Sequence, residues 1–476
     1  MKPLPEPDKI PAICARRLAP NWAILAQITV CTIPPMALIA FSQLRAAGIY
    51  FFVLLLILLS YRLVRRDHKG MMSMIVGCMP VLMLLRNSLS YSSVELILGL
   101  GFVCWLVTDP IDVRRVFADR VVAYLSCFIL LYWMVSFART GDYSANLRSF
   151  ELLLSALAIR LLGRYRSYLA SAMIGLAVTT FAMGLAFARF GDRLGMAEID
   201  GERIGNPISF GIPMALIFVL SLAENGRWLM LHEKPVLRIV TTVGAGILLL
   251  LSTSRGSWAV VVICLLVMIV GQKNRGTLIK YLAAGAIGIS IWVYLADPAI
   301  LDKYIYKTFQ SSEYWSADNN ARVAQWESFP RAFSDSPVWG FGPGSGKAVS
   351  LQYSGHKLIW HALYLHMAIE CGLIGVFLLA AFLLTIIVRS IRYIKLTGEF
   401  APLLGIISFI VVACTIPAID GASGLFLGFG LLSFETSGLW IVRTRAAVSE
   451  AERVEVVHGV PVLDPVHSFG SSQAAL

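Results

Sequence analysis

The chain reads as a series of apolar blocks separated by short polar punctuation. FFVLLLILLSYRLV, VAYLSCFILLYWMVSF, YLASAMIGLAVTTFAMGLAF and LIKYLAAGAIGISIWVYLA each approach the roughly 20 residues that a helix needs to cross about 30 Å of hydrocarbon. Lipid offers no partner for backbone N–H and C=O groups, and a helix satisfies both internally. Spans are predicted near 22–42, 48–63, 71–86, 92–107, 121–137, 149–162, 168–188, 207–224, 236–253, 256–271, 278–296, 362–388, 401–418 and 423–442. Two of them could pair as a re-entrant hairpin, so the expected fold is an all-α polytopic membrane protein of about 12–14 transmembrane helices. The run 22–42 ends in FSQLRAAG and is followed at once by another span, which predicts a retained first helix and not a cleaved leader.

Composition sharpens this picture. Of 476 residues, 57% are hydrophobic and 14% charged, against roughly 25% charged in a soluble domain, so a soluble enzyme is excluded. Basic residues collect in alternate connections. With the N-terminus inside, the inner segments receive Arg62, Arg65, Arg66 and Lys69, then Arg114, Arg115 and Arg120, then Arg164 and Arg166. Further on come Lys273, Arg275 and Lys280, then Arg389, Arg392 and Lys395, and finally Arg443 and Arg445. Such an excess marks cytoplasmic loops and places both termini on the cytoplasmic side of a bacterial inner membrane. The net charge of +11 then belongs to inner loops beside anionic membrane lipids, with no compact basic domain for nucleic acid. The eight cysteines lie mostly inside apolar runs without a CxxC pair, which speaks against disulfide or metal roles.

Three outer places carry arginine that needs an explanation. ARFGDRLGMAEIDGERIGNP holds Arg189, Arg193 and Arg203 ahead of Asn206 and Pro207, and Pro207 suits a first helical turn, where a missing amide loses no partner. Arg203 belongs either to a capped loop or to a site that handles an anion. STSRGSW sets Arg255 in a tight turn at the membrane boundary, where a charge must reach headgroups, water or a bound anion. A guanidinium fork suits the last, because it meets two phosphate oxygens and keeps its charge.

The third place is the long outer segment 297–360, with YWSADNNARVAQWESFPRAFSDSPVWGFGPGSG. Arg322, Gln325, Trp326 and Phe329 share helical spacing there. Gly342, Gly344 and Gly346 could cradle phosphate on their amides or simply form a flexible return, and the Lys-Ser/Thr ending of a nucleotide loop is missing. The segment is the candidate lid over a membrane cleft. LIWHALYLHMAIECGLIGVFLL comes next and sets His361 and Tyr364 at the outer boundary. An imidazole at His361 could take a proton from a sugar hydroxyl near neutral pH. His366 reads as a hydrogen-bonding residue and Glu370 as its neighbour within the bundle. Asp109 and Asp112 fall on the inner face as capping residues, and no metal-binding set stands outside.

Arg203 before Gly205-Asn206-Pro207, SRG at 254–256, Arg322 with Trp326, WGFGPGSG at 339–346, HALYL at 361–365 and ECGLIG at 370–375 together resemble the O-antigen ligase and polysaccharide polymerase superfamily, over roughly residues 170–390. The resemblance implies a C-type glycosyltransferase with one long periplasmic loop containing short helices, and an undecaprenyl-pyrophosphate-linked glycan as donor. It implies transfer at the periplasmic face with inversion and without metal or other cofactor. His361 would be the general base, Arg203 and Arg255 would meet the leaving pyrophosphate, and Arg322 would touch the donor. Arg193, Tyr364 and Trp326 complete the expected substrate contacts. The acceptor would be lipid A core in a ligase or a lipid-linked glycan in a polymerase, with ligase preferred. A chain-length regulator or a flippase would be the protein partner. Where many members have Asn after the histidine this chain has Ala362, which puts an acceptor contact there in doubt.

A lipid-linked oligosaccharide transporter would also have many spans and outer arginines. Such proteins often repeat themselves in two halves, and no internal repeat is visible here. The expected organisation is N-terminal helices over 1–188, a ligase/polymerase-like core over 189–445, and a cytoplasmic, poorly ordered tail over 446–476.

Overall fold

The computed structural model describes residues 20–41, 43–89, 93–140, 143–188, 196–199, 202–205, 207–231, 234–252, 254–271, 276, 279, 283, 287, 290, 312–415 and 421–434. The chain divides into Met1–Ser433 and Phe434–Leu476, and all the helices and strands from Trp22 to Leu431 belong to the first unit. The predicted span 278–296, the tail 446–476 and Arg193 lie outside the described residues as elements.

Every other predicted span falls on helix where it is described, with 416–418 and 435–442 outside the described residues. In chain order these are α1 (Trp22–Ala40), α2 (Leu44–Val64), α3 (His68–Gly77), α4 (Met79–Leu89), α5 (Ser93–Thr108), α6 (Pro110–Phe117), α7 (Arg120–Thr140), α8 (Tyr143–Leu162), α9 (Arg166–Ala188), α10 (Pro207–Leu222), α11 (Pro235–Leu251) and α12 (Arg255–Gly271). The remainder are α13 (Ser312–Asp335), α14 (Gly346–Ser354), α15 (Leu363–Thr397), α16 (Ala401–Thr415) and α17 (Gly421–Leu431). A two-stranded antiparallel hairpin, β1 (Met196–Ile199) with β2 (Glu202–Gly205), is the sole sheet among the described residues.

Among the described residues α1, α2, α7, α9 and α15 are long and apolar enough to cross a membrane outright, and α5 with α6, bent by 110°, gives a sixth. Helices α10, α11, α12, α16 and α17 are apolar but shorter, so five or six of the expected 12–14 spans are full-length among the described residues. The predicted span 71–86 is divided into two helices. Pro80 has no N–H to offer the Val76 carbonyl four residues back, the chain breaks at Cys78 between α3 and α4, Val81 N turns to Cys78 O at 3.1 Å, and Thr179 Oγ1 bonds the Gly77 carbonyl at 2.9 Å.

The interior is built by close helix approach. Every residue of α17 is buried; a Cβ on Gly424 would stand 2.5 Å from Leu152 O and one on Gly428 2.9 Å from Ala156 O, so glycine lets α17 lie directly on α8. Small residues are how helices associate where lipid removes the hydrophobic incentive. Outward positions of α2, α7, α11, α12 and α15 stay apolar and exposed, among them Ile57, Leu131, Val240, Val262 and Phe377, a surface that only lipid would tolerate.

At the end of the helices assigned to the cytoplasm, the basic residues are tied into the protein. Arg62 bonds Gln27 at 2.8 Å and pairs with Asp67. Asp112 accepts from Tyr165 and, at 3.3 Å, from Arg164. Arg166 meets Glu399 at 2.8 Å, which also accepts from Tyr393 at 3.0 Å. Asp109 caps α6 through Asp112 N at 3.2 Å, as its sequence position implies. Burial, together with the bond to Asp112, raises the Tyr165 phenol above its ordinary pKa.

Candidate active site

Helix α15 does not run straight. Gly372 takes φ 63° and ψ −161°, a conformation essentially restricted to glycine. A break of this kind strands carbonyls on one side and amides on the other. Residues 337–342 take up both sets. Phe341 N donates to Ile369 O and Gly342 N to Glu370 O, each at 2.8 Å; Leu373 N donates to Pro337 O at 2.8 Å and Ile374 N to Val338 O at 3.4 Å. A Cβ on Gly372 would lie 2.2 Å from Val338 O, and one on Gly340, whose φ is +68°, 2.5 Å from the Glu370 carbonyl carbon. WGFG and ECGLIG, well separated in sequence, are two halves of one junction.

Glu370 holds the next turn of the same segment. Its side chain is 2% exposed; Oε2 accepts from Gly344 N and Oε1 from Gly346 N, both at 2.8 Å. Tyr132 of α7 donates its hydroxyl to the same carboxylate. With that proton committed, the phenol oxygen can accept from His366 Nε2, 3.2 Å away, which favours the tautomer protonated at Nε2. Arg139, further along α7, donates to Phe341 O at 2.6 Å.

Behind the turn is a small apolar core of Ala332, Val349, Trp360, Ala362, Leu365 and Ile369, flanked by Phe329, Phe341 and Tyr353. Trp360 is wholly buried and donates Nε1 to Gly346 O at 3.1 Å. Gln325 of α13, also buried, donates to Ser350 Oγ at 2.8 Å and to Ile359 O at 3.4 Å, and its Oε1 accepts from His361 N at 3.4 Å. His361 is thereby fixed, half-buried, between α13 and the start of α15. On the exposed flank Tyr353 donates to Asp335, a bond that raises the phenol pKa above its usual value.

Two expectations change. The loop after Ser336 is not a flexible return, and the amides of Gly342, Gly344 and Gly346 do not wait for phosphate: Glu370 occupies all three, by its backbone oxygen and its carboxylate. Ala362 lies 1% exposed with φ 82° and belongs to the small apolar core.

The structure ties Gln325 of α13 to His361, and Arg322 and Trp326 stand on the same helix. Arg322 is half-buried, while Trp326 and Tyr364 are 56% and 41% exposed. Arg255 stands exposed as the first residue of α12, and Arg203 lies in β2, in register with Glu198; both stand on other elements. Sequence reasoning missed Gln325 as a holder of His361, and Tyr132 and Arg139 altogether. Arg139 carried a signal, a guanidinium in the last turn of an apolar span.

These features define a polytopic membrane protein whose longest described connection is folded onto a broken helix. Residues 240–380 match the family model described as O-antigen ligase, which supports membership of the chain in the O-antigen ligase and polysaccharide polymerase superfamily. The match contains Arg255, Arg322, Gln325, the glycine turn, His361 and Glu370, and supports glycan-transfer chemistry in general. A search of curated proteins gave no significant match.

Proposed function

We propose that the protein transfers a glycan from polyprenyl pyrophosphate to an acceptor hydroxyl at the periplasmic face of the inner membrane, acting as an O-antigen ligase on lipid A core. The observation that carries this reading is the family match over 240–380, because the same stretch contains the junction that holds His361. In the proposed step His361 accepts the acceptor's hydroxyl proton, the freed oxygen attacks the anomeric carbon, and the bond to the pyrophosphate oxygen breaks. A single displacement inverts that carbon. The departing lipid pyrophosphate is a stable anion, so cationic donors placed where its charge develops supply the main assistance.

Arg255 suits that role electrostatically. As the first residue of α12 it adds a guanidinium to the positive end of a helix dipole, a combination that repels cations and draws an anion. Arg203 and Arg193 approach the same task from the segment before α10, and Arg322, Trp326 and Tyr364 contact the donor from α13 and α15. The gathering of basic residues at one set of helix ends supports the reading that 312–360 lies outside.

Purified protein in nanodiscs, given an undecaprenyl-pyrophosphate-linked donor with EDTA present, is offered lipid A core and a second lipid-linked repeat. Product on the core is expected. Lengthening of the lipid-linked glycan would make the protein a polymerase, and intact donor with both acceptors, from folded protein, would overturn the transferase reading.

A further inference from the structure

We propose that Glu370, backed by Tyr132 and His366, is a positioning residue for His361, and that α7 therefore belongs to the catalytic apparatus although it lies outside the matched region. This inference rests on the reading that His361 acts on the acceptor hydroxyl.

Glu370 is a poor candidate for direct contact with substrate. It is almost fully enclosed, and its oxygens are taken by two backbone amides and a phenol, all from the protein itself. A carboxylate open to the site would also repel the pyrophosphate that the arginines are there to hold. What its hydrogen bonds do reach is His361, by two routes. Along the first, Gly346 N is bound by Glu370, Gly346 O accepts from Trp360 Nε1, and Trp360 directly precedes His361. Along the second, the turn sets the start of α14, whose Ser350 Oγ accepts from Gln325, and Gln325 accepts from the His361 amide. Tyr132 joins α7 to both routes at their common origin. His366 supports it from the side, with Nε2 3.2 Å from the phenol oxygen and 3.6 Å from Glu370 Oε1. The two glycines of the turn fit this packing and little else: a Cβ on Gly346 would stand 2.7 Å from Glu370 Oε1, and one on Gly344 2.5 Å from Ser136 Oγ of α7.

Two substitutions separate positioning from bulk stability. Glu370→Gln keeps the shape but replaces one acceptor oxygen with a donor, so one glycine amide loses its partner. Tyr132→Phe deletes a single hydroxyl and serves where the first variant folds poorly. Because a displacement of about 1 Å at a reacting group can cost on the order of 10²-fold, kcat is expected to fall roughly 10–100-fold in Glu370→Gln and about 3–10-fold in Tyr132→Phe. The KM for lipid-linked donor should stay within about threefold in both, since ground-state binding is not what the clasp supplies. Amide hydrogen exchange should quicken at 340–349 and at 359–363 without a matching fall in melting temperature. A merely structural role predicts the reverse, a lower melting temperature with wild-type kcat per folded enzyme, and would overturn the proposal. So would wild-type kcat in both variants. Should the wild-type protein transfer glycan to no acceptor, the functional reading fails by itself. Exchange then decides the clasp without turnover: faster exchange at 359–363 in the variants supports it, and unchanged exchange overturns it.

Discussion

Gly372 has little conformational freedom. Its φ of 63° with ψ of −161° costs any other residue about 1–3 kcal/mol in backbone strain alone, and a methyl group would also meet Val338 O at 2.2 Å. Backbone on both sides is locked by four hydrogen bonds across the junction, so neither strand can retreat cheaply. Gly372→Ala is expected to destabilise by about 3 kcal/mol or more, since strain and clash act together; a thermal melt in nanodiscs that stays at the wild-type temperature would refute this. His361 is constrained differently, through its amide. His361→Ala should lower transfer by roughly 10²–10⁴-fold, the usual contribution of a general base, with an unchanged melt, as measured in the two-acceptor assay.

At the scale of elements, the apolar runs were legible because a lipid-facing helix must be apolar along its whole length, and each described run became a helix. Their division was less legible. The α3/α4 break turns on Pro80, visible in the sequence, but also on Thr179, brought to Gly77 O only by the packing of α9. The site shows the same limit: both glycine motifs stand out in the sequence, yet nothing local says that one supplies the amides that the other's broken helix lacks. The start of α3 offers a test of this local packing. His68 stacks near Trp105 at 5.2 Å and lies 3.9 Å from Asp109; burial, with Lys69 adjacent, lowers its pKa below 6.5, while Asp109 and Asp67 oppose the shift. The unfolded chain therefore binds the proton first as pH falls, so the His68 contribution to stability is present above pH 6.5 and is lost as pH drops through the lower folded value. Melting temperatures recorded between about pH 7.5 and 5 should fall less steeply for His68→Gln than for wild type, and parallel curves would remove this role from His68.

Across the whole molecule, hydrogen bonds and ion pairs gather at the two ends of the bundle and do different work. One group of them holds the glycine turn and His361. The other ties arginines from distant parts of the chain to carboxylates, so charge that composition assigns to lipid headgroups is partly spent inside the fold. Arg166 is the clearest case. It joins the start of α9 to the α15–α16 turn through Glu399, and its guanidinium also lies 3.6 Å from the Trp228 ring centroid. Removing one partner of a fully buried pair costs about 3–5 kcal/mol, but the Arg166 side chain is 33% exposed, and screening by solvent brings the expectation for Glu399→Gln to roughly 1–2 kcal/mol. The loss should appear as a lower melting temperature, with kcat per folded protein unchanged because the pair stands at the far end from His361. The double variant Arg166→Gln with Glu399→Gln should then cost less than the sum of the two singles, because each single variant strands a charge that the double removes. Strict additivity would mean that the two groups do not act as a pair, and a fall in kcat would mean that the ends of the bundle are coupled more tightly than their separate hydrogen-bond networks imply.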